Sequence, residues 1–161
     1  MTIETGFEQT EHEFEATTSS GTVSALLTRP PKAECLLVLA HGAGAGMRHV
    51  FMEMLAARLA DRRIATFRYQ FPYMEQGRRR PDYQPILLKT VRSAVTAASA
   101  LSDGLPLFVG GKSMGGRMTS LAAAKEPLDA VRGIVFFGFP LHPVKKPGVE
   151  RSEHLKDIGA P

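Results

Sequence analysis

Two patterns of hydrophobic residues alternate along this chain. Short, nearly continuous apolar runs predict strands that are buried on both faces, and segments with apolar residues every three or four positions predict helices. The predicted strands after residue 35 are 36–40, 64–68, 106–110 and 133–137. The predicted helices are 50–60, 84–101 and 113–125, with a short helical piece at 152–157. Residues 69–83 are predicted to form a long loop rich in Tyr, Pro and Arg.

The order of these elements indicates the fold class. Residues 12–16 and 22–28 predict two strands around a turn at 19–21, and strands then alternate with helices from residue 35 onward. This alternation is typical of an α/β protein with a mostly parallel sheet and helices on both faces. We expect one domain over residues 1–161.

Charge and cysteine usage limit the functional classes. The net charge is +4, but the basic residues are scattered apart from the run at 78–80, so nucleic-acid binding is not expected. Cys35 is the sole cysteine, which excludes a disulfide within the chain and fits a reducing compartment. No signal peptide or membrane span is predicted, and the expected location is the cytoplasm.

The most informative motif lies at residues 111–115, with the sequence Gly-Lys-Ser-Met-Gly. This G-x-S-x-G pattern follows a predicted strand and precedes a predicted helix, as in the nucleophile elbow of serine hydrolases. Ser113 is therefore the candidate catalytic nucleophile. The alternative is a serine that caps a helix after a tight glycine turn.

A second feature favours acyl-transfer chemistry, which needs backbone N–H donors for the developing oxyanion. The residue after the nucleophile, Met114, is expected to supply one donor. The loop after strand 36–40 begins His41-Gly42-Ala43-Gly44 and is expected to supply the other. The sequence leaves open whether Gly42 or Ala43 donates. His41 is expected to anchor this loop by hydrogen bonding rather than to act as a base.

Two other motifs compete with this interpretation. A P-loop would need glycine where Pro106 stands. A dinucleotide-binding fingerprint starting at Gly42 would need a small residue where Met47 stands, although Arg68 after the next strand suits a 2′-phosphate. This second possibility remains a minor alternative.

Together these motifs resemble the α/β-hydrolase superfamily over about residues 20–161. Segments 41–46, 71–74, 77–82 and 111–117 look like its small, lidless branch, which includes the testis-expressed and histone-acetyltransferase-complex hydrolase-like proteins and lies near the dienelactone hydrolases. The resemblance implies Ser113 as nucleophile, Met114 with Gly42 or Ala43 as oxyanion hole, a small ester-like substrate, and no cofactor or metal.

The resemblance also implies a triad acid and histidine further along the chain, after one and two more strands. Residues 158–161 look like the lead-in to the acid-bearing strand, and we expect a C-terminally truncated domain with little activity. Asp129, Asp157, His142 and His154 do not occupy the expected triad positions. A non-catalytic scaffold that binds a protein partner is the alternative. In the truncated domain, strand 133–137 would be an unpaired sheet edge, which predicts self-association.

Three residues are further candidates for substrate contact. His41 and His142 lie after predicted strands, and Arg79 lies in the basic run 78–80 of a loop expected to face the site. An Arg fork there suits an anionic group. The alternative is a solvated loop in which one of these arginines pairs with Asp82.

Overall fold

The computed structural model describes residues 6–161 and contains a six-stranded mixed sheet in the order β1-β2-β4-β3-β5-β6. The strands are β1 (Glu8–Thr17), β2 (Gly21–Arg29), β3 (Cys35–Ala40), β4 (Ile64–Tyr69), β5 (Leu107–Lys112) and β6 (Val131–Phe137). The helices are α1 (Val50–Ala60), α2 (Pro72–Glu75), α3 (Gln84–Ala100) and α4 (Met114–Lys125), with a 3-10 helix at Glu150–Asp157.

The predicted fold class is confirmed, because the central pairs β4–β3, β3–β5 and β5–β6 are all parallel. The antiparallel strands β1 and β2 extend this sheet at one side. Alternate residues of the parallel strands face opposite layers. Val38, Phe67 and Val109 belong to the core under α3 and α4, whereas Leu37 and Leu39 pack with Met52 of α1.

Several element boundaries differ from the sequence prediction. β1 and β2 are longer than predicted, because their antiparallel ladder continues as far as the Glu8–Arg29 pair. β5 extends two positions further than predicted, through Gly111 to Lys112, because both residues pair with β6. The predicted loop 69–83 contains the one-turn helix α2, which begins at Pro72. Proline suits this position, because its fixed φ matches the first turn of a helix.

The outer edge of β6 carries one backbone pairing that the sequence did not predict. The Ile134 N–H donates to the Pro161 carbonyl at 2.8 Å, so the expectation of a wholly unpaired edge is wrong at that residue. Side chains further along the strand are partly open, with Val135 37% and Phe136 36% exposed. Beyond Ile134, the edge of β6 therefore still exposes apolar side chains, as predicted.

Candidate active site

Ser113 lies at the sharp turn between β5 and α4, with backbone angles φ 50° and ψ −115°. A positive φ is uncommon for a residue with a side chain and costs about 1–3 kcal/mol, so such residues persist where the surroundings hold them. The surroundings here include a hydrogen bond from the Ser113 N–H to the Phe137 carbonyl at 3.2 Å. The turn places the half-buried Ser113 at the carboxyl end of β5, before the first residue of α4.

The glycines on either side of Ser113 are required by close backbone contacts. A Cβ atom on Gly111 would lie 2.6 Å from the Gly115 carbonyl carbon. A Cβ on Gly115 would lie 2.7 Å from the Ala40 carbonyl oxygen and even closer to that of His41. Because real Cβ atoms do not approach backbone this closely, strand β5, helix α4 and strand β3 can meet here only with glycine. This explains the spacing of the motif physically.

The loop that follows β3 lies directly beside this turn. Ala40 pairs with Gly111 in the parallel ladder, so β3 and β5 end at the same edge of the sheet. The next loop residue is close as well, since a Cβ on Gly42 would lie 3.6 Å from the Lys112 carbonyl oxygen. The predicted meeting of loop 41–46 with the Ser113 turn is thus present in the fold.

The three candidate oxyanion donors are backbone N–H groups near this edge. Met114 is the first residue of α4, and the first N–H groups of a helix lack intrahelical partners. Within residues 6–161, no protein acceptor is found for the N–H of Gly42 or of Ala43. The site therefore offers backbone donors without protein acceptors both in loop 41–46 and at the start of α4.

His41 is fully buried below this loop, with 0% of its surface exposed. Its Nδ1–H donates to the Gly42 carbonyl at 2.7 Å, and its Nε2 accepts from the Phe71 N–H at 3.0 Å. Burial lowers the His41 pKa to about 4, partly opposed by the Gly42 carbonyl. Both nitrogens of a neutral imidazole are thus occupied by backbone groups. This arrangement anchors the loop and leaves no nitrogen for a substrate.

Three further side chains hold this loop or Met47 directly after it, and the sequence analysis assigned this role to none of them. The Tyr73 hydroxyl donates to the Ala43 carbonyl at 2.8 Å. Gln70 Oε1 accepts from the Met47 N–H at 2.9 Å, and the Arg68 guanidinium donates to the Met47 carbonyl at 3.0 Å. Tyr73 lies in the segment 71–74, which resembled a family motif without an assigned role, and Arg68 was named only as a residue that suits a 2′-phosphate.

The remaining histidines make other contacts, and in the part of the chain that the structure describes none of them is hydrogen-bonded to Ser113. His142 is exposed and bonds through Nδ1 to the Pro143 carbonyl at 2.9 Å. His154 Nε2 lies 2.7 Å from the Ser120 hydroxyl. The other two, His12 and His49, bond to Thr10 and to the Phe51 N–H. Among the described residues, none of these contacts therefore provides a histidine as general base for Ser113.

The basic run 78–80 is exposed, and one of its arginines makes the predicted ion pair. Arg78 donates to Asp82 at 2.7 Å, and the other oxygen of that carboxylate accepts from the Tyr73 N–H at 2.8 Å. Arg79 is exposed and has no ion pair among the described residues. No described contact brings Arg79 to Ser113, so its assignment as a substrate ligand stays a prediction.

The sequence pattern of the family described as "Alpha/beta hydrolase domain" matches residues 33–161, which is most of the chain. The chain belongs to the alpha/beta hydrolase family. This family membership and the burial of Arg68, which is 1% exposed, count against the dinucleotide-binding alternative. The described residues of this alpha/beta hydrolase include no helix that is long and apolar enough to cross a membrane.

Solved structures with the same fold include a dienelactone hydrolase and several esterases. The dienelactone hydrolase from Anabaena variabilis has a TM-score of 0.69 at 18% identity, over 83% of this chain and 64% of that one. A cold-adapted esterase from an Arctic intertidal metagenomic library has a TM-score of 0.69 at 17% identity, over 97% and 70% of the two chains. Est1E from Butyrivibrio proteoclasticus has a TM-score of 0.62 at 20% identity, over 77% and 48%.

At these identities the likeness establishes the fold alone. The alpha/beta hydrolase chain spans less than two thirds of the dienelactone hydrolase, at 64% of its length. It spans about half of Est1E, at 48%.

Proposed function

We propose that this chain carries the nucleophile and the oxyanion hole of a serine hydrolase that acts on ester-like acyl substrates. The observation that carries the proposal is the backbone of Ser113, held at φ 50° between glycines that tolerate no side chain. A helix-capping serine would need none of this strain, and the Ser113 side chain makes no capping hydrogen bond to α4. Five other non-glycine residues of the described chain also have a positive φ, so Ser113 is distinguished by the combination of this backbone with the close glycine contacts on both sides, and such strain clusters at functional sites.

In the proposed reaction, Ser113 Oγ attacks the carbonyl carbon of the ester while a histidine base removes the hydroxyl proton. The carbonyl oxygen becomes an oxyanion that accepts hydrogen bonds from the Met114 N–H and from an N–H of loop 41–46. Collapse of this intermediate expels the alcohol, which takes the proton from the histidine. Water then hydrolyses the acyl-enzyme by the same steps and regenerates the Ser113 hydroxyl.

We assign the histidine base and the acid that orients it to residues that follow Pro161. The assignment is supported by the contacts of the chain's five histidines, which bond to groups other than Ser113 in the described structure. It follows that residues 1–161 expressed alone should acylate slowly or not at all, because an unactivated serine hydroxyl is a weak nucleophile.

Labelling by a fluorophosphonate probe tests the proposal. The protein expressed from its complete reading frame should label at one residue, and Ser113→Ala should abolish the label. Ser120→Ala is the matched control, because Ser120 lies in the same helix with its hydroxyl bonded to the Arg117 carbonyl at 2.9 Å, and it should label like wild type.

Two outcomes would contradict specific parts of the proposal. Absence of labelling in the complete protein would favour the non-catalytic scaffold that binds a protein partner. Rapid labelling of a folded 161-residue chain would show that the base lies within this sequence.

A further inference from the structure

The carbonyl groups of loop 41–46 reveal where its N–H groups point. In a trans peptide unit the C=O and the following N–H point in opposite directions. The Gly42 carbonyl points at the buried His41 ring, with an Nδ1–O distance of 2.7 Å. The Ala43 N–H, which belongs to the same peptide unit, therefore points away from the protein interior. Ala43 itself is exposed, which agrees with this orientation.

The preceding and following peptide units are oriented by separate contacts. The His41 carbonyl points toward the first turn of α4, where it meets the position of a Cβ on Gly115, so the Gly42 N–H points away from that turn. The Ala43 carbonyl points at the Tyr73 hydroxyl, 2.8 Å away. Of the two amides that the sequence left open, that of Ala43 is therefore turned away from the buried His41 ring, and that of Gly42 is turned away from the first turn of α4, next to Ser113.

The groups that orient these carbonyls are themselves rigidly held. Tyr73 is fully buried, its ring is stacked near that of Phe71 with an interplanar angle of 17°, and its N–H donates to Asp82 at 2.8 Å. The His41 ring packs edge-on against Phe71 at a centroid distance of 5.0 Å. A loop made of glycine and alanine has much conformational freedom of its own. Its geometry is therefore set by the His41 ring at its start and by the Tyr73 and Phe71 side chains from the segment after β4.

We propose that His41 and Tyr73 are positioning residues that aim the Ala43 N–H, and not the Gly42 N–H, at the oxyanion formed on the substrate. This inference rests on the proposed function of Ser113. An oxyanion donor contributes most when it is fixed before the reaction begins, because no reorganisation is then needed. Tyr73 acts through the loop and does not contact the substrate.

Tyr73→Phe tests the positioning role, because it removes the hydroxyl and keeps the stacked ring. In the complete protein, with p-nitrophenyl acetate as probe, kcat should fall about fivefold if one net hydrogen bond is lost. The fall should reach about a hundredfold if the donor is misaimed. KM should stay within about twofold of wild type, whereas a general loss of structure would lower the active fraction and the melting temperature together. Tyr83→Phe, at a 79% exposed tyrosine, is the matched control and should change neither constant.

The amide assignment is tested on wild-type protein, so it does not depend on the variant folding. In the Ser113 adduct with diisopropyl fluorophosphate, the amide proton of Ala43 should move downfield in the NMR spectrum and that of Gly42 should not. A shift at Gly42 alone, or a kcat for Tyr73→Phe within twofold of wild type, would overturn the inference. Failure of wild type to form the adduct would instead contradict the proposed function.

Discussion

The buried histidine below the oxyanion loop predicts a specific loss of stability at acidic pH. His41 accepts from the Phe71 N–H through Nε2 and donates through Nδ1 to the Gly42 carbonyl. Protonation would turn Nε2 into a donor facing another donor, inside a site with no exposed surface. Burial accordingly lowers the His41 pKa from 6.5 to about 4.

The sign follows from proton binding in the two states. Between pH 6.5 and 4 the unfolded chain binds a proton at residue 41 and the folded chain does not, so the unfolded state gains stability as pH falls. The contribution of neutral His41 is fully present above pH 6.5 and is lost progressively toward pH 4. At about 1.4 kcal/mol per pKa unit, the whole shift corresponds to about 3 kcal/mol, and the part between pH 6.5 and 5 to about 2 kcal/mol.

Urea unfolding at pH 6.5 and at pH 5 measures this effect. Wild type should lose about 2 kcal/mol more over this interval than His41→Gln, which cannot titrate. His142→Gln replaces an exposed histidine instead and is the control for the substitution itself. The contribution of the carboxylates to the pH dependence is common to all three proteins and cancels when the variants are compared. Equal pH dependence of wild type and His41→Gln would refute the argument that residue 41 is buried in its neutral form.

Three further predictions concern packing, a buried carboxylate and the sheet edge. Gly115→Ala should lower the free energy of unfolding by about 2–4 kcal/mol, because the new methyl group meets the backbone carbonyls of Ala40 and His41. Gly159→Ala is the control, because a methyl group at Gly159 enters open space. Equal urea midpoints for the two variants would contradict the prediction. Asp82→Asn should cost about 1–3 kcal/mol, because the nearly buried side chain loses the charge that strengthens its bond from the Tyr73 N–H and pairs with Arg78. The exposed Asp103→Asn should cost less than about 1 kcal/mol. The partly exposed edge strand β6 should make the 161-residue chain self-associate, which light scattering measures, and Val135→Lys should reduce the association. A wild-type chain that stays monomeric at every concentration would count against this prediction.

Much of the fold could be predicted from local sequence patterns. The continuous apolar run 36–40 predicted a strand buried on both faces, and β3 separates the two cores in the structure. The glycines around Ser113 predicted a strand–turn–helix with close backbone approach, and the contacts of Gly111 and Gly115 supply the physical reason. These patterns are readable because burial and steric exclusion act on the residue types themselves.

Other features depended on contacts between distant residues. The pairing of Ile134 with Pro161 required the chain to return to the edge of β6. Tyr73 and Ala43 are 30 positions apart, and their hydrogen bond exists only because β3 and β4 end side by side. The local periodicity of the sequence does not indicate such a contact.

The sequence by itself determined that a serine would stand at a glycine-flanked turn after a buried strand, with a small-residue loop to accompany it. Only the tertiary structure decided that His41 would be buried and neutral, and which carbonyl groups of that loop would face inward. The reason is that a small-residue loop has no side chains to set its own conformation. The direction of its peptide units, and with it the proposed choice of Ala43 as donor, is set by the buried His41 ring and by the residues after β4 that folding brings against that ring and the loop.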